Sequence, residues 1–313
     1  MTTKDRILEL AAEKTLPDAR RPAAFFLHFP EEFRRGQAAV DKHVEYFRAT
    51  GNDIMKIQYE HRFPLIDRIA ESGDWSGMPV YDEEFFADPL DIVAGVVREL
   101  GREAPVILTL YSPFMFAGQT VGKGRLLELT REDPAAVAKG LERIVESMGH
   151  LIRGCIDRGI DGFYASTQGG EGSRVPPEVF EKYIKPADLA AWDRFADKTP
   201  VNILHVCDYE APYDTFDRHT DYPGHIVSAP NHVGGRAITG AEVATRFNRP
   251  FLGGMERLGV ISTGPTDAIV EEARSAIESG PGAMILGADC TLAADTDWRN
   301  IATATEVAHR WGG

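Results

Sequence analysis

Cysteine is scarce in this chain, with three residues in 313: Cys155, Cys207 and Cys290. So small and odd a number provides no disulfide framework, which fits a reducing, cytoplasmic setting. Basic residues are outnumbered, 34 Lys and Arg against 48 Asp and Glu, and the net charge is −14. With no basic run to offset that balance, nucleic acid is not an expected partner. No apolar run is long enough to span a bilayer. The opening Met1-Thr2-Thr3-Lys4-Asp5-Arg6 leads into an amphipathic stretch rather than a signal peptide, so no membrane association is expected. The Gly-x-Ser-x-Gly elbow of serine hydrolases is missing. Gly122-Lys123-Gly124 lacks both the spacing and the Lys-Ser/Thr ending of a nucleotide phosphate loop.

What is present is a large apolar fraction, 43%, organised as strand-like runs separated by helical patterns. Eight such runs can be counted: Ala24 to Phe29, Ile54 to Tyr59, Val106 to Tyr111, Gly162 to Ser166, Val201 to Cys207, Ile226 to Ala229, Phe251 to Met255 and Ala283 to Ala288. Most are nearly continuous in apolar residues, as parallel strands covered on both faces are. Helix starts are signalled at Asp88-Pro89, Asp133-Pro134 and Gly264-Pro265-Thr266, where Asp or Thr can cap and Pro suits the first helical position. Glycine stops are expected near Gly101 and Gly159. Eight strands alternating with helices over this length predict an α/β fold, a single (β/α)8 TIM barrel spanning 1–313. Residues 1–22 are expected to form an N-terminal helical extension. A doubly wound open sheet is the alternative. Its glycine-rich phosphate turn is missing, because the first run leads into Phe29-Pro30-Glu31-Glu32-Phe33.

A barrel places chemistry at the C-terminal ends of its strands. Two of the three cysteines fall there. His205-Val206-Cys207 ends one run, and alternate residues of a strand share a face, so the imidazole and the thiol point together. Cys290 ends another run. One nitrogen and two sulfurs form a three-ligand zinc site with an open fourth position, the form of a catalytic zinc. Cys155 continues a helical stripe of Val137, Leu141, Ile144, Val145, Met148, Leu151 and Ile152 and is read as core. Other polar residues expected at the same mouth are His28, Glu60, Gln168, Asn231, His232, Glu256 and Arg257. Of these, Glu60, Gln168, Asn231 and Glu256 are the candidates for orienting a substrate. The run Gly169 to Ser173 could cradle an anion, or could simply be a close-packed loop.

In this order, several segments resemble the uroporphyrinogen decarboxylase superfamily over most of the chain. They are Asp53-Ile54-Met55-Lys56-Ile57, Tyr111-Ser112-Pro113-Phe114, Gly159-Ile160-Asp161-Gly162, Pro176-Pro177-Glu178-Val179-Phe180 with Ile184-Lys185-Pro186, and Phe251-Leu252-Gly253-Gly254-Met255. The resemblance implies a TIM-type barrel. It is poor to the decarboxylases themselves, whose arginine-rich N-terminal segment has no match at Arg20-Arg21-Pro22. It is better to the zinc-dependent methyltransferase branch, such as the coenzyme M methyltransferases, whose His-x-Cys…Cys motif matches His205, Cys207 and Cys290. That branch implies Zn2+ as cofactor, methyl-cobalamin carried by a partner corrinoid protein, and a small thiol or methyl donor as the second substrate. The direction of transfer stays open. The fourth zinc ligand also stays open among Asp289, Asn231, water and substrate. A metal-free decarboxylase or lyase of the same barrel, and a barrel that binds without catalysing, are the competing expectations.

Overall fold

The computed structural model describes residues 2–312; Met1, the first residue of the expected N-terminal segment, and Gly313 lie outside them. Strands β1 (Met55–Ile57), β2 (Val106–Tyr111), β3 (Gly162–Thr167), β4 (Ile203–Val206), β5 (Ile226–Ser228), β8 (Phe251–Met255) and β9 (Met284–Ala288) form a curled, all-parallel, seven-stranded sheet in that order. The architecture is α/β and TIM-like. Two further strands, β6 (His232–Val233) and β7 (Arg236–Ala237), pair as a small antiparallel hairpin after β5. Its turn is Gly234-Gly235, both at positive φ (59° and 76°), a conformation that glycine adopts without a Cβ clash.

Seven of the eight expected runs form ladder strands. The exception is Ala24 to Phe29, which makes isolated bridges, Ala23 with Leu286 and Leu27 with Leu292. On its β9 side, Ala24 N–H donates to the Leu286 carbonyl (2.8 Å) and Leu292 N–H to the Phe26 carbonyl (2.8 Å). On its β1 side, one backbone bond, Asp53 N–H to the Ala23 carbonyl (2.7 Å), is supplemented by side chains. Asp53 Oδ2 accepts from Ala23 N–H (2.8 Å), and Asn52 Oδ1 accepts from Phe25 N–H (3.0 Å). The N–H groups a strand neighbour would take are thus already satisfied. Arg20 and His309 converge on Asp53 as well, at 3.2 and 2.6 Å.

Strand parity sorts the core into two shells. Ile54, Ile107, Tyr164, Ile203, Ile226, Leu252 and Ile285 pack together inside the curl. Their neighbours Met55, Leu108, Phe163, Leu204 and Val227 face the helices. A helix at Thr3–Glu13 forms within the N-terminal segment, capped by Thr2 and closed with Lys14 in a left-handed conformation. It buries Ile7, Leu10 and Ala11 against the inner cluster. A second helix before Pro22 does not form.

Capping departs from expectation at two of three starts. Asp133 caps its helix through Ala136 N–H (3.0 Å). Helix Ala87–Leu100 begins before Asp88, whose carboxylate instead accepts from Gly36 N–H (3.0 Å). Helix Thr266–Glu278 has no side-chain cap. Helix Ala87–Leu100 ends at Gly101 as expected, and helix Pro134–Asp157 runs to just before Gly159. Among the described residues, no helix is long and apolar enough to cross a membrane.

Candidate metal centre

The inward parity that stacks isoleucines at the base of the curl places polar residues higher up. On β1, Ile54 is followed by Lys56 and Gln58; on β4, Ile203 is followed by His205 and Cys207; on β5, Ile226 is followed by Ser228. Cys290 lies two residues beyond β9. The structure brings His205, Cys207 and Cys290 together, with one donor atom from each all within 4.8 Å of one another. All three are buried. Cys290 Sγ lies 3.4 Å from His205 Nε2. A hydrogen bond between the two free thiols holds Cys207 well below an ordinary thiol and pushes Cys290 up.

His205 is held by its far nitrogen. Nδ1 meets Ser228 Oγ at 3.2 Å, and the same hydroxyl meets Tyr164 OH at 3.2 Å. Tyr164 also stacks on the imidazole, with ring centres 4.9 Å apart and planes 28° from parallel. The Nδ1 hydrogen bond and the stacked ring orient the imidazole with Nε2 facing the sulfurs. Arg257, after β8, ties the two cysteine loops. Its side chain pairs with Asp208 (2.7 Å), beside Cys207, and its backbone N–H donates to Asp289 (2.8 Å), beside Cys290.

The four candidate orienting residues divide. Buried Gln168 donates from Nε2 to Cys207 Sγ at 3.4 Å. Glu60 accepts from His28 Nδ1 at 2.6 Å. Asn231 Nδ2 donates to the Gly254 carbonyl on β8 (3.4 Å). Glu256 is exposed, and its backbone N–H donates to Glu272 (3.0 Å). Asp289 is not among the three converging donors, and one of its oxygens accepts from Arg257 N–H. His232 is exposed on the hairpin. The Gly169 to Ser173 loop is not an anion cradle, because its own Glu171 fills it. That buried carboxylate accepts from Gly169 N–H (2.7 Å) and from Arg174 (2.9 Å). Cys155 is fully buried on its helix, and burial pushes its thiol far up, as a core residue requires.

Sequence reasoning assigned no role to Lys56, Gln58, Tyr164 and Ser228. Lys56 Nζ donates to Gln58 Oε1 (2.6 Å) and Thr109 Oγ1 (2.9 Å) and lies over the rings of Phe26 and Tyr164. Burial with no carboxylate contact pulls it down to about 7. The signal was a lysine sharing the strand parity of buried Ile54.

The donor set fits a thiophilic divalent metal. It has two sulfurs and one imidazole, no crowding carboxylate, an oriented ring and burial from water. Fold and site together define a TIM-like α/β protein with a buried His/Cys/Cys group at the C-terminal ends of its strands. The chain belongs to the uroporphyrinogen decarboxylase (URO-D) family, which residues 55–311 match. No curated protein matches it by sequence. Among solved structures, it is similar to a methyltransferase from Methanosarcina mazei, at 14% identity over 98% of each chain with a TM-score of 0.76. It is also similar to a Listeria monocytogenes protein assigned as a vitamin-B12-independent methionine synthase, at 13% identity over 95% of this chain and 99% of that one, TM-score 0.60. A B12-independent methionine synthase from Shewanella sp., in complex with selenomethionine, has 11% identity, coverage of 92% and 98%, and a TM-score of 0.57. At these identities the likeness is one of fold.

Proposed function

We propose that this protein is a zinc-dependent methyltransferase, moving a methyl group between a methyl-corrinoid carried by a partner protein and a small thiol. The observation that carries this reading is the convergence of His205, Cys207 and Cys290 within 4.8 Å at the barrel mouth. Family membership and the similarity to a methyltransferase and to methionine synthases support it. On the same reading, the segment at Ala23 to Leu27 is the first stave of a (β/α)8 barrel. Helix Thr3–Glu13 is then an extension that plugs its base.

His205, Cys207 and Cys290 would hold the zinc. When bound, it would supply thiol activation, since coordination deprotonates a thiol whose free pKa is about 8.5. The chain's own groups do the rest. Ser228 and Tyr164 fix His205. Gln168 donates to Cys207 and tempers its charge. Glu60 and Asn231 line the approach. Glu256 stands on the outer rim, where the exposed apolar side chains Leu65, Tyr209 and Leu258 each follow a strand end. That rim is a surface on which a partner carrying a bulky corrinoid can dock.

The test is zinc content after purification without chelator, for the wild type, Cys207→Ser and Cys290→Ser. The wild type should carry about one zinc per chain, and both variants should lose it. Methyl-cobalamin demethylation by candidate thiols, followed spectroscopically, should then track zinc content. A zinc-free wild type with active cysteine variants would favour a metal-free lyase instead.

A further inference from the structure

A second polar cluster in the barrel mouth is built around His28, away from the sulfur donors, and its hydrogen-bond directions can be deduced. An ionised carboxylate has acceptors only, so Glu60 Oε1, 2.6 Å from His28 Nδ1, takes a proton carried on that nitrogen. On the other side of the ring, Gln58 Oε1 meets Lys56 Nζ at 2.6 Å. That turns Gln58 Nε2 toward His28 Nε2 (3.2 Å) and the Tyr111 hydroxyl (3.3 Å). An amide nitrogen donates, so His28 Nε2 carries the lone pair. The proton of the neutral ring then sits on Nδ1, where Glu60 Oε1 accepts it at 2.6 Å. A carboxylate behind Nδ1 and a lone pair at Nε2 make the arrangement of a general base.

Exposure and placement agree. The His28 side chain is 36% exposed at the mouth, whereas Glu60 is 11% exposed behind it. Arg34 stands 3.8 Å from Glu60 and balances its charge. The neighbouring Leu27 bridges to Leu292, so His28 sits on the stave hydrogen-bonded to the segment that bears Cys290. The cluster also joins the donor group from below, because Lys56 lies over Tyr164, which stacks on His205. The groups facing His28 are thus Glu60, Arg34, Gln58 with Lys56 behind it, and Tyr111.

We propose that His28 and Glu60 are the acid–base pair of this site, with His28 accepting the proton that the acceptor thiol sheds as it binds. The proposal rests on the methyl-transfer reading above. A thiol entering the buried donor group must lose its proton, and His205, Cys207 and Cys290 are committed as ligands. The S–H proton moves to His28 Nε2, and the imidazolium is stabilised by Glu60. The sulfur lone pair forms the new S–C bond. The carbon–cobalt bond of the methyl-corrinoid breaks, and its electron pair stays on the corrinoid. His28 then returns the proton to water from its exposed face. Gln58, itself held by Lys56, is a positioning residue that orients the ring from its Nε2 side.

The experiment uses the zinc-loaded protein, free methyl-cobalamin and a series of thiols of falling pKa. His28→Ala should slow transfer to ordinary alkyl thiols about 10²–10⁴-fold. The loss should shrink with acidic aryl thiols, and added imidazole should restore part of the rate. Glu60→Gln should lie between His28→Ala and the wild type, and both variants should keep their zinc. Independently of turnover, 15N NMR of the imidazoles should show the Nδ1–H tautomer for His28 in the metal-free wild type. That preference should be lost in Glu60→Leu. Equal slowing of His28→Ala with every thiol, or an Nε2–H tautomer in the wild type, would overturn the acid–base pair while wild-type turnover stood. A wild type that transfers methyl to no thiol would overturn the functional reading, and this proton step with it.

Discussion

Removing one hydroxyl, that of Ser228, tests whether the donor group is organised from behind. Ser228 Oγ is the partner of His205 Nδ1 and lies on the strand next to it. His205 is 2% exposed, so in Ser228→Ala no water replaces the lost oxygen. An unsatisfied buried nitrogen costs about 1–3 kcal/mol. Without that partner the ring is also free to turn away from Cys290 or to carry its proton on Nε2, and a protonated nitrogen cannot bind metal. Losing such an outer partner weakens metal binding about 10–100-fold, equivalent to about 1.4–2.8 kcal/mol. Both effects trace to the same lost contact, an imidazole no longer oriented with Nε2 toward the metal position. Zinc affinity measured by competition against a chromophoric chelator should fall by that factor in Ser228→Ala and return in Ser228→Thr. Tyr164→Phe keeps the stacked ring and loses only the outer hydroxyl, so its affinity should stay within about threefold of the wild type. An unchanged affinity in Ser228→Ala, or a larger loss in Tyr164→Phe, would refute the reasoning.

Two further outcomes follow from other buried charges. Asp188 is fully buried and bonded to Thr167 and Tyr222, and burial raises it from 3.8 to about 7. The folded protein therefore keeps a proton that the unfolded chain has lost between those values, and stability falls as pH rises from about 4 to about 7. The shift is worth about 4 kcal/mol, so Asp188→Asn should flatten urea unfolding free energy between pH 5 and pH 8, whereas a persistent slope would assign it to another group. Arg257→Ala frees the Asp208 and Asp289 loops from each other, and zinc release to a chelator should accelerate several-fold, with Arg257→Lys intermediate.

Much of this protein is legible along the chain because parallel strands and their helices declare themselves locally. A run such as Val106 to Tyr111 is apolar, is flanked by helices, and folds as β2 over those residues. The His-x-Cys spacing also reads directly, since strand parity alone turns both side chains one way. The segment Ala24 to Phe29 reads as a strand on the same grounds. It makes only isolated bridges because Asn52 and Asp53 take its N–H groups, and which side chain meets which backbone depends on contacts nearly thirty residues apart. Glu256 illustrates the same limit. It follows a strand end, yet its backbone is held by Glu272 and its side chain is left exposed.

The sequence by itself determined the alternation of strand and helix, the apolar parity of each stave and the identity of the three soft donors, because these depend on periodicity and residue chemistry. Only the tertiary structure decided that Cys290 meets His205, that Ser228 and Tyr164 hold the imidazole, and that Lys56 orients Gln58 toward His28. Adjacent strands bring Ser228 and Tyr164 to His205, whereas the meeting of Cys290 with His205 arises from curling the sheet, which brings strands that are not neighbours to the same mouth. Neither residue order nor propensity records the distance between staves that meet only when the curl is made.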